Sequence, residues 1–508
     1  MYLTQSVHRN LQQSPNRPAS VFAGRQRSFA EQADRVARLA GGLRASGVRP
    51  GDRVAYLGLN SDRQLEFYLA VPWADAVVVP LNTRWAAAEL AFALNDSGAE
   101  TLFVDDAFGA MIPALREAVP NLRTVVHAGD APAPEGTVAY ESWTAGTDPV
   151  PDARRGDDAL AGIFYTGGTT GFPKGVMLSH RNLAISGLRS RTIMPGGRFL
   201  HVAPMFHIAD YCCTVSVCGA GATHVIVPTA DPVGVLTAIQ EHEITDLGLI
   251  PIIIAMLVDH PARGEYDLSS VRSVAYGGSS ITVALLQRAK AAFPQAAFTQ
   301  AFGQTEAAPF LTLLGPAEHA DESRPELLRS AGRAIEHTEV RIVDPDGNEC
   351  PRGVQGEIVG RGPNVMLGYW NRPEETAAAL RDGWLHTGDA GVMDDDGYIY
   401  VLDRIKDMIV TGGENVFSAE VENVIAAHPA VSACAVIGLP DPTWGERVHA
   451  VVVRRPGAEV SAEEIRAHAR ASIGGYKVPR SVEFVDALPV SAAGKVLKRD
   501  LRAARQHS

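Results

Sequence analysis

The sequence predicts an α/β protein with a large N-terminal unit of mainly parallel sheets flanked by helices, a β section, and a small α+β unit at the C-terminal end. Three observations predict it. Short β-like runs alternate with helical pattern from the start to beyond residue 300, which is how parallel strands and their crossover helices read. Around "VRIVDPDGNECPRGVQGEIVGRGPNVMLGYW" the pattern turns to short strands with "DG" turns, the mark of antiparallel hairpins. After "GYIYVLDRIKDMIVTGGENV" a compact alternation begins afresh.

The first element is the helix in "SFAEQADRVARLAGGLRASG". Phe29, Ala33, Val36, Leu39 and Leu43 share one face, Ser28 and Glu31 have the spacing of a capping box, and Gly47 is a stop. The runs "RVAYLGLN", "AVVVPLN" and "ETLFVDD" follow as strands. In the small unit a helix begins at Ser418, then come strands "SACAVIGL" and "VHAVVVRRP", helix "SAEEIRAHARASI" and strand "SVEFVDALP". The predicted units are 1–405 and 406–508, joined with almost no spacer near Lys406, and there is no internal repeat.

With 508 residues the chain is too long for one ordinary core. Its net charge of −12 argues against a protein that coats nucleic acid through a basic face, so small-molecule partners are expected. The five cysteines, Cys212, Cys213, Cys218, Cys350 and Cys434, form no CxxC pair; they read as free thiols, mostly buried, in a reducing cytoplasm. The start "MYLTQSVHRNLQQSPNRP" lacks the apolar core of a secretory signal. The longest apolar run, Leu247 to Val258, is shorter than the roughly 18 to 20 residues of a membrane span. No integral membrane segment is expected, and the number of copies in the assembly is left open, a homodimer included.

The stretch with the strongest chemical signal is "YTGGTTGFPKGVMLSH", Tyr165 to His180. Successive amides of a glycine loop can point inward to form an anion site, Thr166, Thr169 and Thr170 add hydroxyl donors, and Lys174 adds a point charge. A Walker loop would need its lysine directly after glycine and before serine or threonine. Lys174 instead follows Pro173 and precedes Gly175, so the P-loop reading fails. A flexible surface loop without a ligand is the other reading of these residues taken alone.

This loop resembles the phosphate-binding motif of the adenylate-forming superfamily, which comprises acyl-CoA synthetases, aryl-CoA ligases, luciferases and nonribosomal adenylation domains. "PMFHIAD", "AYGGSS", "QAFGQTE", "GWLHTGDAGVMDDDGYIYVLDRIKDMIVTGGENVFSAEVE" and "PVSAAGKVLKRDLR" resemble further motifs of that family, in family order, over nearly the whole chain. The resemblance implies an acyl-CoA synthetase-like fold with a mobile C-terminal domain. It also implies a reaction in two steps: a carboxylate and ATP give acyl-AMP and pyrophosphate, then a thiol takes the acyl group. ATP, Mg²⁺ and CoA are the implied cosubstrates and cofactor.

The same resemblance assigns roles. Thr166, Gly167, Gly168, Thr169, Thr170, Gly171 and Lys174 would hold the β- and γ-phosphates, with Glu306 and Thr166 at Mg²⁺. Thr305 would donate to the α-phosphate, and Gln300 would hydrogen-bond the adenine amino group. Gly278, Ser279, Ala301, Phe302 and Gly303 would complete the nucleotide site, with Asp389 and Arg404 at the ribose. Lys495 would insert between carboxylate and α-phosphate, stabilising charge while the two react. Lys406 aligns with the hinge, and Gly412 and Gly413 would lie against the pantetheine arm of CoA.

Two residues depart from the family pattern: Gly168 stands where serine, and Phe302 where tyrosine, is more usual, and each removes a hydroxyl. His207 stands where amino-acid-activating relatives place an aspartate, so an α-amino acid substrate is not expected. His207 reads as a wall or gate of the acyl pocket or as a catalytic base. Asp210 reads as an exposed loop carboxylate or as the partner of a β-amino group. "LIPIIIAML", with Ile252, and "AYGGSS", with Gly277 and Gly278, read either as an apolar acyl slot or as core packing. The expected activity is ATP-dependent ligation of a hydrophobic acid, fatty or aryl, to CoA. The alternatives are an enzyme that loads a carrier protein, a nucleotide-binding regulator without catalysis, and an oxygenase of luciferase type.

Overall fold

The computed structural model describes residues 1–167, 173–187, 193–490 and 496–505, with the side chains of Lys406 and Asn415 excepted. The predicted helix forms over Phe29–Ala45 with the Ser28/Glu31 capping box made in both directions. Phe29, Ala33, Val36, Leu39 and Leu43 are all buried. The three runs that follow become the strands Arg53–Leu57, Val77–Pro80 and Thr101–Val104, mutually parallel and adjacent.

Among the described residues these strands belong to an eight-stranded sheet that runs, edge to edge, 368–369, 174–179, 160–166, 77–80, 53–57, 101–104, 124–127, 138–139. Its first two pairings are antiparallel and the rest parallel. A nine-stranded sheet has a parallel centre made of 297–302, 273–277, 246–249, 198–201, 223–226 and 18–22, with antiparallel strands at both edges. Each central strand has one face in a core of Val, Leu and Ile: Leu200, Leu247, Leu249, Val274, Tyr276 and Phe298 lie together with the helices Pro232–Glu241, Pro251–Val258 and Val283–Ala292. The apolar run Leu247–Val258 is therefore a strand end and a short helix. No described helix is long and apolar enough to cross a membrane.

The "DG"-rich stretch forms a five-stranded antiparallel sheet, 339–343, 356–361, 384–393, 380–381 and 399–404. The last strand of this sheet ends at Arg404, and the first strand of the fourth sheet begins at Ile409. The fourth sheet holds strands 409–411, 414–416, 431–441, 445–454 and 481–484 and closes on its own apolar cluster with Val421, Ile425 and Ile465. The fold is thus α/β with mixed sheets and a C-terminal sheet-containing unit.

A buried polar cluster ties the C-terminal helix Lys498–Ala503 to this junction. The Lys498 ammonium lies 2.8 Å from Glu422 and donates to the Ser418 hydroxyl, which in turn donates to Asp403; the Ser418 amide also donates to Asp403 at 2.7 Å. One turn on, Arg502 pairs with Asp407 at 2.6 Å. Burial alone would lower the Lys498 pKa, but Glu422 and Asp403 outweigh it and hold the group above the ordinary lysine range. Removing one member of such a cluster strands the others, at a typical cost of about 3 to 5 kcal/mol. Lys498→Met is expected to lower the melting temperature clearly, and Lys498→Met with Glu422→Gln to recover part of the loss. Thermal unfolding of both variants checks this.

Candidate active site

The hairpin Leu160–Thr166/Lys174–Ser179 presents the glycine loop from its turn, with Thr166 paired to Lys174 across the strands. Gly167 is exposed at its start, with open space around its α-carbon. Gly168, Thr169, Thr170 and Gly171 lie outside the described residues. Lys174 holds its ammonium 5.3 Å over the ring of Tyr369.

Tyr369 is the residue that joins this hairpin to the second predicted motif. Its hydroxyl donates to Glu306 Oε1 at 2.8 Å, and the backbone carbonyl of Glu306 accepts from Met366 N, also at 2.8 Å. Burial and the Glu306 charge push the Tyr369 phenol well above its usual range while Arg404 pulls the other way, so Tyr369 stays a hydrogen-bond donor at working pH. Thr305 and Glu306 sit in a single 3₁₀ turn that follows strand Ala297–Phe302. Gly303 makes that turn possible: a β-carbon there would lie 2.0 Å from the Pro309 carbonyl oxygen.

The neighbouring strand Ser273–Gly277 runs parallel to Ala297–Phe302, pairing Tyr276 with Gln300 and Gly277 with Ala301. Gly277 allows close approach, since a β-carbon would sit 2.4 Å from the Ala301 carbonyl oxygen. Gly278 takes a φ of +82°, which favours glycine, and leads into half-buried Ser279. The Gln300 amide oxygen is buried without a hydrogen-bond partner among the described residues. An acceptor left in that state suits a donor from a bound molecule, and the adenine amino group is such a donor. Phe302, the other departure, packs its ring against the apolar clusters around Leu311 and Ile358.

Asp389 and Arg404, 15 positions apart in sequence, are cross-strand partners, and Arg404 Nε lies 2.7 Å from Asp389 Oδ1. Arg404 also donates to the Thr387 carbonyl at 3.2 Å. In the small unit Gly412 and Gly413 turn the hairpin 409–411/414–416 with φ of +62° and +85°. A β-carbon at Gly412 would lie 2.7 Å from the Trp444 ring, whereas Gly413 faces open space. Trp444 is 42% exposed, with the Arg480 guanidinium 4.4 Å above its ring. Lys406 falls in the 3₁₀ turn Ile405–Asp407 at the junction, and Lys495 lies outside the described residues.

On the acyl side the structure corrects one expectation, the exposed loop position of Asp210, and divides the residues of "LIPIIIAML" between core and surface. Asp210 is not an exposed loop carboxylate: it lies in the first turn of helix Ile208–Ala220, 2% exposed, with Oδ1 2.7 Å from His201 Nδ1 and Oδ2 buried without a hydrogen-bond partner among the described residues. His201 Nε2 lies 2.9 Å from His224 Nδ1, and His224 Nε2 lies 3.3 Å from the Cys218 sulfur. Burial and the neighbouring His201 hold His224 well below the usual histidine range. Each proton in this chain therefore has an acceptor, running from thiol to carboxylate. In "LIPIIIAML", Ile253 and Ile254 are core residues; Ile252 stands 37% exposed on the helix and Ile250 faces Gly278, 3.4 Å from where a β-carbon would be. His207 occupies the N-cap position of helix Ile208–Ala220 without a side-chain capping bond, half-buried, its ring 4.3 Å from that of Phe206.

Sequence reasoning missed Tyr369, Trp444 and Arg480. The only signal for Tyr369 was an aromatic pair in "LGYW", 63 residues from its partner Glu306. For Asp210, removal of the carboxylate leaves a buried imidazole N–H unpaired, typically a cost of about 1 to 3 kcal/mol. Asp210→Ala is expected to lower the melting temperature and leave the ratio of kcat/KM between two acids unchanged. A shifted ratio at an unchanged melting temperature would put Asp210 back at the substrate.

Residues 7–370 match the family model described as AMP-binding enzyme, and residues 420–495 match that of the AMP-binding enzyme C-terminal domain. Feruloyl-CoA synthase of an Amycolatopsis species is 42% identical, covering 97% of each chain. The fatty acid–[acyl-carrier-protein] ligase ScoC of Streptomyces coeruleorubidus is 36% identical over 98% of this chain and 96% of its own. The crystal structure of the anthranilate CoA ligase AuaEII in complex with anthranoyl-AMP superposes with a TM-score of 0.93, at 27% identity, over 99% of this chain and 97% of that one. With strands, glycine turns and the Asp389–Arg404 pair arranged as described, the chain belongs to the AMP-binding enzyme family.

Proposed function

We propose that this protein is an ATP-dependent acid–thiol ligase: it joins a hydrophobic carboxylic acid, fatty or aryl, to AMP with release of pyrophosphate, then passes the acyl group to CoA. The observation that carries the reading is the convergence of Lys174, Tyr369 and Glu306, together with the orphaned amide oxygen of Gln300 on the strand leading into the Glu306 turn, which suits an adenine. The names of the relatives, a feruloyl-CoA synthase and an anthranilate CoA ligase among them, support an acid and CoA as substrates.

A carboxylate resists a nucleophile because it is already anionic and its leaving group would be oxide, so activation as a mixed anhydride comes first. The difficulty is charge: two anions must be brought together and held in line. Lys174 and the amides of the glycine loop bind the leaving pyrophosphate, and Thr305 donates to the α-phosphate. Arg404 holds Asp389 so that its carboxylate accepts from the ribose hydroxyls. The hard oxygen donors Glu306 and Thr166 match magnesium, which usually takes one or two protein oxygens and completes its shell from phosphates and water. Bound there, Mg²⁺ would neutralise charge on the phosphates. His207 forms a wall of the acyl pocket beside Gly277, Gly278 and Ile250.

Lys495 approaches the reacting oxygen and phosphorus in the first step and must leave before a thiol can attack. The short junction at Lys406 supplies the pivot, turning the small unit so that Gly412 and Gly413 line the pantetheine path. The two units are 1–405 and 406–508. Five unpaired thiols suit a reducing compartment such as the cytoplasm.

A pyrophosphate-release screen over short, medium, long and aromatic acids, with CoA present, is expected to find activity with a hydrophobic acid; no release with any acid would sink the reading. Thioester is expected on CoA, and thioester on holo carrier protein alone would change the acceptor. Lys495→Ala is expected to slow acyl-AMP formation by about 10²-fold to 10³-fold and to spare thioester formation from supplied acyl-AMP. The opposite pattern would remove Lys495 from the first step.

A further inference from the structure

We propose that Tyr369 is a positioning residue for Glu306, fixing the carboxylate so that the enzyme binds metal–ATP, and that it couples this carboxylate to Lys174. The inference rests on the reading of Glu306 as the magnesium carboxylate. One short segment holds Glu306 at both ends: Met366 N donates to its carbonyl and the Tyr369 hydroxyl to Oε1, each at 2.8 Å. The same segment is zipped to the hairpin that carries Lys174, with Gly368 and Tyr369 paired to Met177 and Val176 and Trp370 N donating to the Gly175 carbonyl at 2.7 Å. Lys174 then lies over the Tyr369 ring at 5.3 Å. Strand Gly368–Tyr369 is therefore a strap between the turn bearing Glu306 and the base of the glycine loop.

The chemistry follows from the geometry. A free glutamate rotates its carboxylate and turns either oxygen outward. A phenol donating to Oε1 selects one orientation and leaves Oε2 for a cation. The ring meanwhile offers its face to the Lys174 ammonium, limiting where that charge can go. A phosphate chain and its metal would meet a lysine and a carboxylate whose separation is already set, so less ordering remains to be done on binding.

The test measures binding without turnover. The α,β-methylene analogue of ATP cannot be cleaved at the reacting bond, and free Mn²⁺ is counted by electron paramagnetic resonance. Tyr369→Phe is expected to weaken binding of Mn²⁺ with this analogue by about tenfold, the scale of a lost hydrogen bond to a charged group. It is expected to leave the affinity for AMP in EDTA within twofold of wild type. Glu306→Gln should weaken Mn²⁺ binding at least as much, and the double variant should be no weaker than Glu306→Gln alone. Tyr369→Met, which keeps apolar bulk but has neither hydroxyl nor ring, reads the same quantity should Tyr369→Phe not fold.

Wild-type affinity for the Mn²⁺ complex in Tyr369→Phe would overturn the proposal. Equal loss of AMP and metal–nucleotide binding would also overturn it, because that is what a purely structural bond would give. Losses that add in the double variant would do the same. If wild type binds Mn²⁺ with the analogue yet no acid releases pyrophosphate, the ligase reading falls while the role of Tyr369 is still decided by the binding data.

Discussion

The phosphate end of the candidate site depends on one backbone pairing, the antiparallel addition of Gly368–Tyr369 to Val176–Met177 at the edge of the eight-stranded sheet. That sheet carries the glycine hairpin, whereas Glu306 follows a strand of the nine-stranded sheet. Two sheets built from separate stretches of chain have no intrinsic reason to place a lysine and a carboxylate in register. The pairing supplies that reason, since ladder hydrogen bonds fix a strand to within a residue and a one-residue slip would turn Tyr369 to the opposite face. Asn364 reinforces it by donating to the Ala307 and Phe310 carbonyls at 3.0 and 2.7 Å.

A second constraint is that buried polar groups must be satisfied, and two networks show how the chain meets it. Asp210, His201, His224 and Cys218 form a continuous hydrogen-bonded series between a helix and the nine-stranded sheet. Lys498, Glu422, Ser418 and Asp403 form another at the junction of the two units. In both, each member is costly to remove alone because its neighbours have no water to turn to. The second network also bears on function, because Asp403 is adjacent to Arg404, and Arg404 holds the candidate ribose carboxylate Asp389.

Small residues line one face of the nine-stranded sheet. Gly248, Ala275 and Gly277 face away from the aliphatic core on adjacent parallel strands. A β-carbon at Gly248 would meet Phe199 at 2.9 Å and the Cys213 sulfur at 3.3 Å. Phe199 and Cys213, from another strand and a helix, therefore pack over Gly248 on that face.

The sequence by itself determined the element types, their order and the chemistry of the motifs. Strand and helix periods, the Ser28/Glu31 box and the glycine turns are local, and local spacing carries them. The family resemblance implied Asp389 and Arg404 near one another, and the antiparallel pairing of their strands sets them opposite. Tertiary structure decided what spacing cannot encode. Asp210 looked like a loop carboxylate until His201, on a strand, claimed it. Ile253 and Ile254 became core because their helix turned that face inward. Tyr369 entered the site, and Trp444 came to lie beside Gly412, through contacts between segments far apart in the chain. Periodicity says which face of an element is apolar; only packing says which neighbour that face meets.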